Sequence, residues 1–413
     1  MTYQETLDDL FRRLPMYQRQ GKKAFKKDLG NILALCNALG NPHTKFKSIH
    51  IAGTNGKGSC SHMMSAICQK SGLKTGLYTS PHLVDFRERI RVDGRCISEE
   101  SVIAFVAEHS ELIDDIKPSF FEITVAMAFD HFAREEVDIA IIETGLGGRL
   151  DSTNIINPIL SIITNIGFDH MDMLGDTLEK IASEKAGIIK AQTPVLIGER
   201  QKLSTSVFLD KADEMKERIS FAEDLQSAET PTYQLINQRT CRAAINILND
   251  LGLGLKEDEI EDAFKNCHDI SGLMGRWQIL QDQPKVICDT GHNIDGLSLS
   301  MKQLSQENFK QLHIIWSSVQ DKDLELIFPL LPKEAEYYWC QADIPRAMDQ
   351  KLLQEHANRH DLFGNLYNTP VKAYENAMSK ANSNDLVFIG GSTFTVGDLF
   401  RDLEISTCVS SPG

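Results

Sequence analysis

The segment from Ile49 to Met64 reads IHIAGTNGKGSCSHMM, and it limits the fold more than any other part of the sequence. It places a glycine-rich loop between an apolar, strand-like run and a helix-like run, and a second strand-like run, KTGLYTS, follows. Such a strand–loop–helix–strand unit predicts α/β layers built on a parallel sheet. Glycines at a helix N-terminus let backbone N–H groups approach an anion, so the loop is predicted to bind phosphate.

The loop departs from the common phosphate-binding pattern G-x-x-x-x-G-K-[ST]. When Gly56 and Lys57 are aligned with that pattern, the first glycine position holds Ile51. Gly58 separates the lysine from Ser59, which therefore comes one place late. Lys57 would supply positive charge to phosphates, and Ser59 would offer a hydroxyl to Mg²⁺. The residues alone also allow a tight turn with a surface lysine.

Two sets of strand-like runs follow one another along the chain. VDIAIIETG and ILSIITNIG are apolar and β-branched without alternation, as in strands covered on both faces. PKVICDTG, LHIIWSS, AEYYWC and DLVFIGG form a second set, with helix-like stretches between them. Because 413 residues are many for one core, we predict one domain over residues 1–272 and a smaller, doubly wound domain over 273–413. The hinge is expected within 269–277, and the polar segment 220–231 is expected to be a loop.

Composition narrows the class of partner and the compartment. The net charge is −15, and the densest basic run, RQGKKAFKK, is interpreted as a solvated helix face, which argues against nucleic acid as the main partner. Nine cysteines without a C-x-x-C pair favour reduced thiols in a cytosol. The N-terminus is polar, and no apolar run approaches the ~20 residues that span a membrane. We therefore expect a cytoplasmic protein with no membrane partner.

Polar side chains follow two of the predicted strands in the first domain. Glu143 ends one strand, and Asp169 with His170 comes just past the next. Ligands of open α/β sheets bind beyond the carboxyl ends of strands, so these groups could complete a Mg²⁺ site beside the glycine loop. Taken singly, these residues are more simply explained as an exposed loop acid and a capped histidine. Lys185 lies 15 residues after His170, and composition alone predicts an exposed helix lysine.

In the second domain, four polar residues flank the buried strand that is predicted within PKVICDTG: Arg276, Asp289, His292 and Asn293. Asp289 and His292 are expected at the carboxyl end of that strand, where a ligand could bind. An ordinary strand-to-helix turn explains the same residues equally well.

Together, these residues resemble a known family, that of the folylpolyglutamate synthases and dihydrofolate synthases. The members of this family are amide-forming ligases related to the Mur ligases. The family's phosphate loop is similar to GTNGKGS, with a glycine between lysine and serine, so the loop is a variant form. Further blocks look like family blocks in the family's order: GLYTSPHLVDFRERIRVDG, FFEITVAMAF, ETGLGGRLDSTN, TNIGFDHMDMLGDTLEKIASEKAGIIK, DTGHN, DKD and GSTFTVGDL.

The resemblance implies roles for particular residues. Those implied to bind ATP are Thr54, Asn55, Gly56, Lys57, Gly58 and Ser59 in the loop, Asn237 near the base, and Arg276 and Asp289 from the second domain. Those implied around two Mg²⁺ ions are Ser59, Glu143, His170 and Lys185, the lysine as a carbamate. The implied catalytic residues are Lys57, His170, Lys185 and His292. The segment implied to flank the pterin-side substrate is Thr79, Ser80, Pro81 and His82.

The resemblance also implies the fold and the reaction. It implies a P-loop NTPase-like N-terminal domain with a parallel-rich sheet and a smaller Rossmann-like C-terminal domain that binds glutamate. The reaction would add L-glutamate to dihydropteroate, to reduced folates, or to both, through an acyl phosphate, with ATP as co-substrate and a monomer as the active form. Two departures lie in the C-terminal domain, where Ser317 replaces a glycine and Ile294 replaces a proline.

Four alternatives remain beside a bifunctional enzyme. A monofunctional member of the same family is one. A Mur ligase with a uridine-nucleotide domain is another, although only 52 residues precede Gly53. A switch GTPase is the third, but it would need an N-K-x-D motif, which the sequence lacks. A nucleotide-binding scaffold is the fourth, but it would have no use for Glu143, His170 and Lys185 together.

Overall fold

The computed structural model describes residues 1–14, 28–224 and 232–408. The basic run at residues 19–27 lies outside the described residues, as do 225–231 of the predicted loop. The chain forms two compact units. The first takes in the chain up to His82, then Phe86–Leu273, and again Cys408. The second consists of Leu83–Asp85 and Met274–Thr407.

The first unit is built on an eight-stranded sheet in the order β4-β3-β2-β5-β1-β6-β7-β8. Neighbours are parallel except at β2–β3 and β3–β4, which confirms the predicted parallel-rich sheet. The strands are β1 Lys47–Ala52, β2 Thr75–Tyr78, β3 Ile90–Val92, β4 Arg95–Cys96, β5 Ile139–Glu143, β6 Leu160–Ile163, β7 Val195–Ile197 and β8 Ile219–Phe221. Strand β8 corrects the predicted loop over 220–231, whose first residues pair with β7.

Helices cover both faces of this sheet, which explains why its central strands lack alternation. On β5, Ala140 and Ile142 join one apolar cluster, and Ile139 and Ile141 join the other. The helices are α1 Tyr3–Arg13, α2 Gly30–Ala38, α3 Lys57–Lys70, α4 Glu99–Glu108, α5 Ser110–Ile116, α6 Phe120–Arg134, α7 Met171–Leu174, α8 Leu178–Ala186, α9 Thr205–Met215, α10 Tyr233–Asp250, α11 Glu257–Lys265 and α12 Cys267–Ser271. A strand buried on both faces needs apolar residues at successive positions.

The second unit is built on a six-stranded sheet in the order β13-β12-β11-β14-β10-β9, parallel except for β9. The predicted Rossmann-like arrangement is confirmed. Its strands are β9 Gln278–Asp282, β10 Lys285–Cys288, β11 Leu312–Trp316, β12 Glu336–Trp339, β13 Gly364–Leu366 and β14 Leu386–Gly390. Its helices are α13 Ile294–Leu304, α14 Leu324–Ile327, α15 Gln350–Asn358, α16 Pro370–Lys380 and α17 Thr393–Asp402.

The cysteines differ from the expectation that all nine are reduced thiols. A disulfide joins Cys96, the last residue of β4, to Cys408 near the end of the described chain. The other seven cysteines are free and buried. Within the described ranges, none of the helices combines the length and the apolar character that a membrane crossing requires.

Candidate active site

The glycine loop lies at the carboxyl end of β1, in the middle of the first sheet, and leads into α3 at Lys57. Gly53 and Gly56 have positive φ angles of 148° and 83°. A Cβ on Gly53 would lie 1.8 Å from Thr164 Oγ1, and one on Gly56 would lie 2.4 Å from Asn237 Oδ1. Both positions therefore require glycine. Asn237, which the resemblance places near the base, is buried against the loop, and its Nδ2 donates to Gln234 Oε1 at 3.3 Å.

The segment after β6 holds the loop in shape. The Asn55 amide donates to Asn165 Oδ1 at 2.9 Å, and Thr164 Oγ1 donates to the Asn55 carbonyl at 2.6 Å. Thr54 Oγ1 accepts from the Gly167 amide at 2.9 Å. Sequence reasoning missed these supports, although a polar pair directly after an apolar strand was a usable signal.

Two lysines converge on one carbonyl of the loop. Lys57 Nζ donates to the carbonyls of Gly53 and Thr54, at 3.0 and 3.2 Å. Lys185 Nζ donates to the same Gly53 oxygen at 2.7 Å. Because α8 turns Ile181, Ala182 and Lys185 inward, Lys185 is only 4% exposed, and the expectation of a surface lysine is wrong. Burial, reinforced by the charge of Lys57, holds the pKa of Lys185 well below its usual value.

Glu143 ends β5, beside β1, and its carboxylate faces the start of α3. The side chain is buried, and Oε2 accepts from the Ser80 amide at 3.0 Å. A Cβ at Gly58 would contact both carboxylate oxygens, at 3.8 and 3.9 Å. These are ordinary van der Waals distances, so Gly58, the glycine that separates Lys57 from Ser59, lies directly beside the Glu143 carboxylate.

His170 lies past β6 in a left-handed conformation with φ 50°. Its ring is about one third exposed, and Nε2 is 3.9 Å from Asp169 Oδ2. No three His, Cys, Asp or Glu side chains lie close enough together to hold a metal ion in the part of the chain that the structure describes. The donors available beside the loop are the buried Ser59 and Glu143. Their oxygens are the ligand type that Mg²⁺ prefers, and nucleotide phosphates usually supply further oxygens at such sites.

The segment from Thr79 to His82 follows β2 and runs beside Glu143. The Ser80–Pro81 peptide bond is cis, and the Thr79 amide donates to the Arg89 carbonyl at 3.1 Å. Arg89 Nε donates to His82 Nδ1 at 2.8 Å, and its guanidinium lies 5.6 Å from the centre of the Phe120 ring. Burial lowers the pKa of Arg89. Sequence reasoning missed this buried cation, which composition does not distinguish from surface arginines.

In the second unit, Asp289 follows β10 and uses both carboxylate oxygens locally. Oδ2 accepts from the Trp277 amide at 2.9 Å, and Oδ1 accepts from the Gly291 amide at 2.9 Å and from Ser300 Oγ at 3.1 Å. Trp277 has φ 49°, an uncommon conformation for a large residue. Asp289 therefore fixes the peptide that follows Arg276.

The neighbouring residues form the turn into α13. His292 Nδ1 lies 3.1 Å from the Thr290 carbonyl. Asn293 is the N-cap of α13, and its side chain accepts from the Gly296 amide at 2.9 Å. The predicted strand-to-helix turn is present, and Ile294 occupies the first helical position, where proline is common.

The second departure, Ser317, lies just past β11. Its Oγ hydrogen-bonds Thr395 Oγ1 at 2.6 Å, and both residues are buried. Arg346, which sequence reasoning did not single out, lies in the loop after β12. Its Nη1 is 3.2 Å from Asp321 Oδ2, and its guanidinium is 5.3 Å from the centre of the Phe394 ring. Strand β14 inserts between β10 and β11, so these residues surround a topological switch point.

Known families and proteins that are similar to this chain match both of its units. The Mur ligase middle domain matches residues 51–244, and the Mur ligase glutamate ligase domain matches residues 275–393. The dihydrofolate synthase/folylpolyglutamate synthase of Bacillus subtilis is 32% identical over 93% of this chain and 96% of that protein. The enzyme of the same name from Escherichia coli is 32% identical over 86% of each chain. A probable bifunctional folylpolyglutamate synthase/dihydropteroate synthase of Haloferax volcanii is 30% identical, but the chain spans only 50% of its length.

Solved structures give the same result. E. coli FolC in complex with DHPP and ADP matches with a TM-score of 0.85 and 27% identity, over 98% of both chains. A bifunctional folylpolyglutamate synthase/dihydrofolate synthase with Mn, AMPPNP and L-glutamate bound matches with a TM-score of 0.85 and 26% identity, again over 98% of both chains.

Proposed function

The chain belongs to the dihydrofolate synthase/folylpolyglutamate synthase family of Mur-type ligases, and from this premise we propose that it adds L-glutamate to dihydropteroate and to reduced folates, using ATP. The observation that carries the proposal is the loop from Gly53 to Ser59. It combines glycines that admit no side chain, two lysines on one carbonyl, and a buried carboxylate at Gly58. We further propose that residues 1–272 bind ATP and that 273–413 bind glutamate, in a cytoplasmic monomer.

The chemistry must turn a carboxylate into an acyl donor. Transfer of the γ-phosphoryl group of ATP to the carboxylate gives an acyl phosphate. The amine of glutamate then attacks the carbonyl carbon, and the tetrahedral intermediate expels phosphate. The loop amides and Lys57 would hold the phosphates and offset the charge that develops on them. Closure of the second unit would keep water from hydrolysing the acyl phosphate.

We propose that residues beside the loop hold the Mg²⁺ ions that the family resemblance implies, because the oxygens of Ser59 and Glu143 are of the type that Mg²⁺ prefers. Ser59 and Glu143 would hold one ion, and Glu143, His170 and a carbamate on Lys185 would surround another. When bound, Mg²⁺ neutralises charge where the carboxylate meets the phosphate. Thr54, Asn55 and the loop amides would orient the phosphates without help from the metal.

The position of Lys185 supports its modification. A lysine ammonium has no lone pair and cannot ligate a cation. The Nζ of Lys185 is buried beside Lys57, and its lowered pKa favours the neutral amine that adds to CO₂. Formation of the N–C bond releases a proton and leaves an anionic oxygen, which suits a hard cation.

Intact-mass measurement in bicarbonate buffer tests this modification. The mass of one CO₂ should appear on the wild type and be absent from Lys185→Ala. A short carboxylic acid should restore part of the turnover of Lys185→Ala. Full activity of Lys185→Arg would contradict the carbamate.

The remaining residues are assigned to the other substrates. We propose that Thr79–His82, with Arg89 behind them, lines the pterin-side substrate. Arg276 would reach the nucleotide, positioned by Asp289 through the Trp277 peptide. Arg346 provides positive charge for a glutamate carboxylate at the switch point. His292 would accept a proton from the glutamate ammonium through Nε2, because its Nδ1 faces the Thr290 carbonyl.

Mass spectrometry of the products tests the proposal. The enzyme, ATP, Mg²⁺ and L-glutamate are incubated with dihydropteroate or with tetrahydrofolate, and Lys57→Ala serves as the control. Each acid should gain a glutamate residue with release of phosphate. A product from only one acid would leave a monofunctional member of the family. No product from either, with turnover of a uridine-nucleotide peptide instead, would favour another Mur-type ligase.

A further inference from the structure

The cysteines divide into two classes by accessibility. Seven are free and buried, whereas Cys96 and Cys408 are partly exposed and joined to each other. We propose that Cys96 and Cys408 form a redox-responsive modification site that fastens the chain, where it returns from the second unit, to the β3–β4 hairpin of the first. The reacting partner would be a small disulfide such as glutathione disulfide.

Burial of the seven other cysteines restricts thiol–disulfide exchange to Cys96 and Cys408. A thiol must ionise and be reached by the reagent before it undergoes disulfide exchange. Burial raises the pKa values of the Cys36 and Cys68 thiols to about 12, and that of Cys267 to about 11. The Cα atoms of Cys96 and Cys408 are 5.6 Å apart, a spacing that disulfides ordinarily have.

The hairpin is already packed against the point where the chain passes from the first unit into the main segment of the second, which is the first of the two crossings that bound this segment. That crossing follows Leu273. A Cβ on Gly94 would lie 2.0 Å from the Ile270 carbonyl oxygen, and one on Gly272 would lie 2.7 Å from Arg91 Nη1. Arg91 Nη1 also donates to the Gly94 carbonyl at 3.0 Å. The hairpin therefore fits closely around the last residues before the crossing.

The phosphate-loop helix contacts the same residues. His62, on α3, is buried, and its Nδ1 lies 3.0 Å from the Ser271 carbonyl oxygen and 3.1 Å from Ser271 Oγ. The helix that begins at Lys57, the hairpin and the first crossing thus form one packed group within the first unit.

The disulfide ties the chain to this packed group at the second crossing, where the chain returns from the second unit. The second unit ends at Thr407, and the chain is part of the first unit again at Cys408. Its bond to Cys96 spans 312 positions of sequence and encloses the whole main segment of the second unit. In the oxidised protein, both ends of that segment are anchored at the hairpin. In the reduced protein, only the end at the first crossing, after Leu273, is held at the hairpin.

The reaction is an ordinary two-step exchange. The thiolate of one cysteine attacks glutathione disulfide and releases one glutathione thiol, which leaves a mixed disulfide. The second cysteine attacks that bond and releases the second glutathione, so the protein loses two protons and two electrons. Disulfides in a reducing compartment are usually transient or redox-sensing, which suits a reversible site. If the units move during turnover, as the proposed function requires, the oxidised form should turn over more slowly.

Thiol labelling of the native protein tests the site without reference to activity. Reduced wild type should take N-ethylmaleimide at two positions, Cys96 and Cys408. Protein oxidised with glutathione disulfide should take none and should weigh two hydrogens less. Cys96→Ser should be labelled only at Cys408. Labelling of the oxidised protein, or persistent glutathione adducts on either cysteine, would overturn the proposal.

The consequence for the enzyme is measured on the same samples. Oxidation should raise the Tm of the wild type by about 5 °C and lower kcat by about threefold or more. Cys96→Ser and Cys408→Ser, treated identically, should show neither change. Equal Tm and equal kcat in the two redox states of the wild type would overturn the anchoring role. Failure of the proposed ligase reaction would leave the labelling and Tm results standing, so the two failures are distinguishable.

Discussion

The carboxyl edges of the two sheets carry the predicted site residues in different ways. In the first unit, the polar groups of Lys57, Lys185 and Glu143 lie against the glycine loop. The loop itself has no room for a side chain at Gly53 or Gly56. In the second unit, Asp289 and Asn293 direct their side-chain oxygens to their own turns. We propose that the first edge receives a ligand, whereas Asp289 and Asn293 maintain the shape of the loops at the second edge. Removal of a charged side chain should therefore damage mainly chemistry at the first edge, whereas removal of the Asp289 carboxylate should also cost stability at the second.

The largest effect is expected from Lys57→Ala. The side chain contributes charge at the loop and little to packing, so turnover should fall on the order of 10³-fold with an unchanged Tm. Lys70→Ala, at the other end of α3, is the matched control and should keep normal turnover. Steady-state kinetics and thermal unfolding check both variants. Near-normal turnover of Lys57→Ala would show that the loop does not bind the reacting phosphates.

Gly53→Ala should be the next most harmful change, because it affects fold and site together. The new Cβ would lie 1.8 Å from Thr164 Oγ1, in a backbone conformation that already strains an alanine. We expect a loss of about 3 kcal/mol or more in the free energy of unfolding. Gly72→Ala is the matched control, with φ 79° and no atom within 4 Å of the added Cβ, and it should cost about 1 kcal/mol. Equal losses in a denaturant titration would mean that close packing at the loop is not the cause.

Asp289→Ala tests the second edge. It removes the acceptor for two amides and a hydroxyl at a buried position, so it should cost about 2–3 kcal/mol of stability. Turnover should also fall, since Arg276 loses its positioned peptide. Asp295→Ala, an exposed acid in the first turn of α13, should change stability by less than about 1 kcal/mol. A variant at Asp289 that lost turnover but no stability would place this carboxylate in the chemistry instead.

The pH dependence of stability tests the burial of Lys185. Its pKa is lowered in the folded protein, so between that value and about 10.4 the unfolded chain binds the extra proton. Stability should therefore rise with pH through this window in the wild type. The slope should be smaller by up to about 1.4 kcal/mol per pH unit in Lys185→Met, measured without bicarbonate. An identical slope in both proteins would mean that Lys185 is solvated in the folded state.

The sequence predicts features that depend on residues close together in the chain better than features that depend on residues far apart in the chain. Strands β1, β5 and β6 were predictable because burial on both faces leaves a continuous apolar run, and parallel pairing brings their ends together. Strand β9 was missed because it lies at a sheet edge with Ile279 exposed. The inward position of Lys185 and the Cys96–Cys408 bond were not predictable, because each depends on parts of the chain that only the tertiary fold brings together.

The smallest effect is expected from Ile294→Pro, which restores the residue that the family resemblance places after the asparagine. Position 294 begins α13, where an amide has no partner within the helix, so proline removes no helical hydrogen bond. Asn293 already has the extended conformation that a following proline requires, with φ −116° and ψ 166°. The substitution should raise the free energy of unfolding by about 0.5 kcal/mol, by restricting the unfolded chain. Ser298→Pro, in the exposed interior of the same helix, should instead cost about 3 kcal/mol. A destabilised Ile294→Pro protein would show that this turn differs from the one that a helix-starting proline fits, and it would make the departure at 294 a change of backbone rather than of side chain alone.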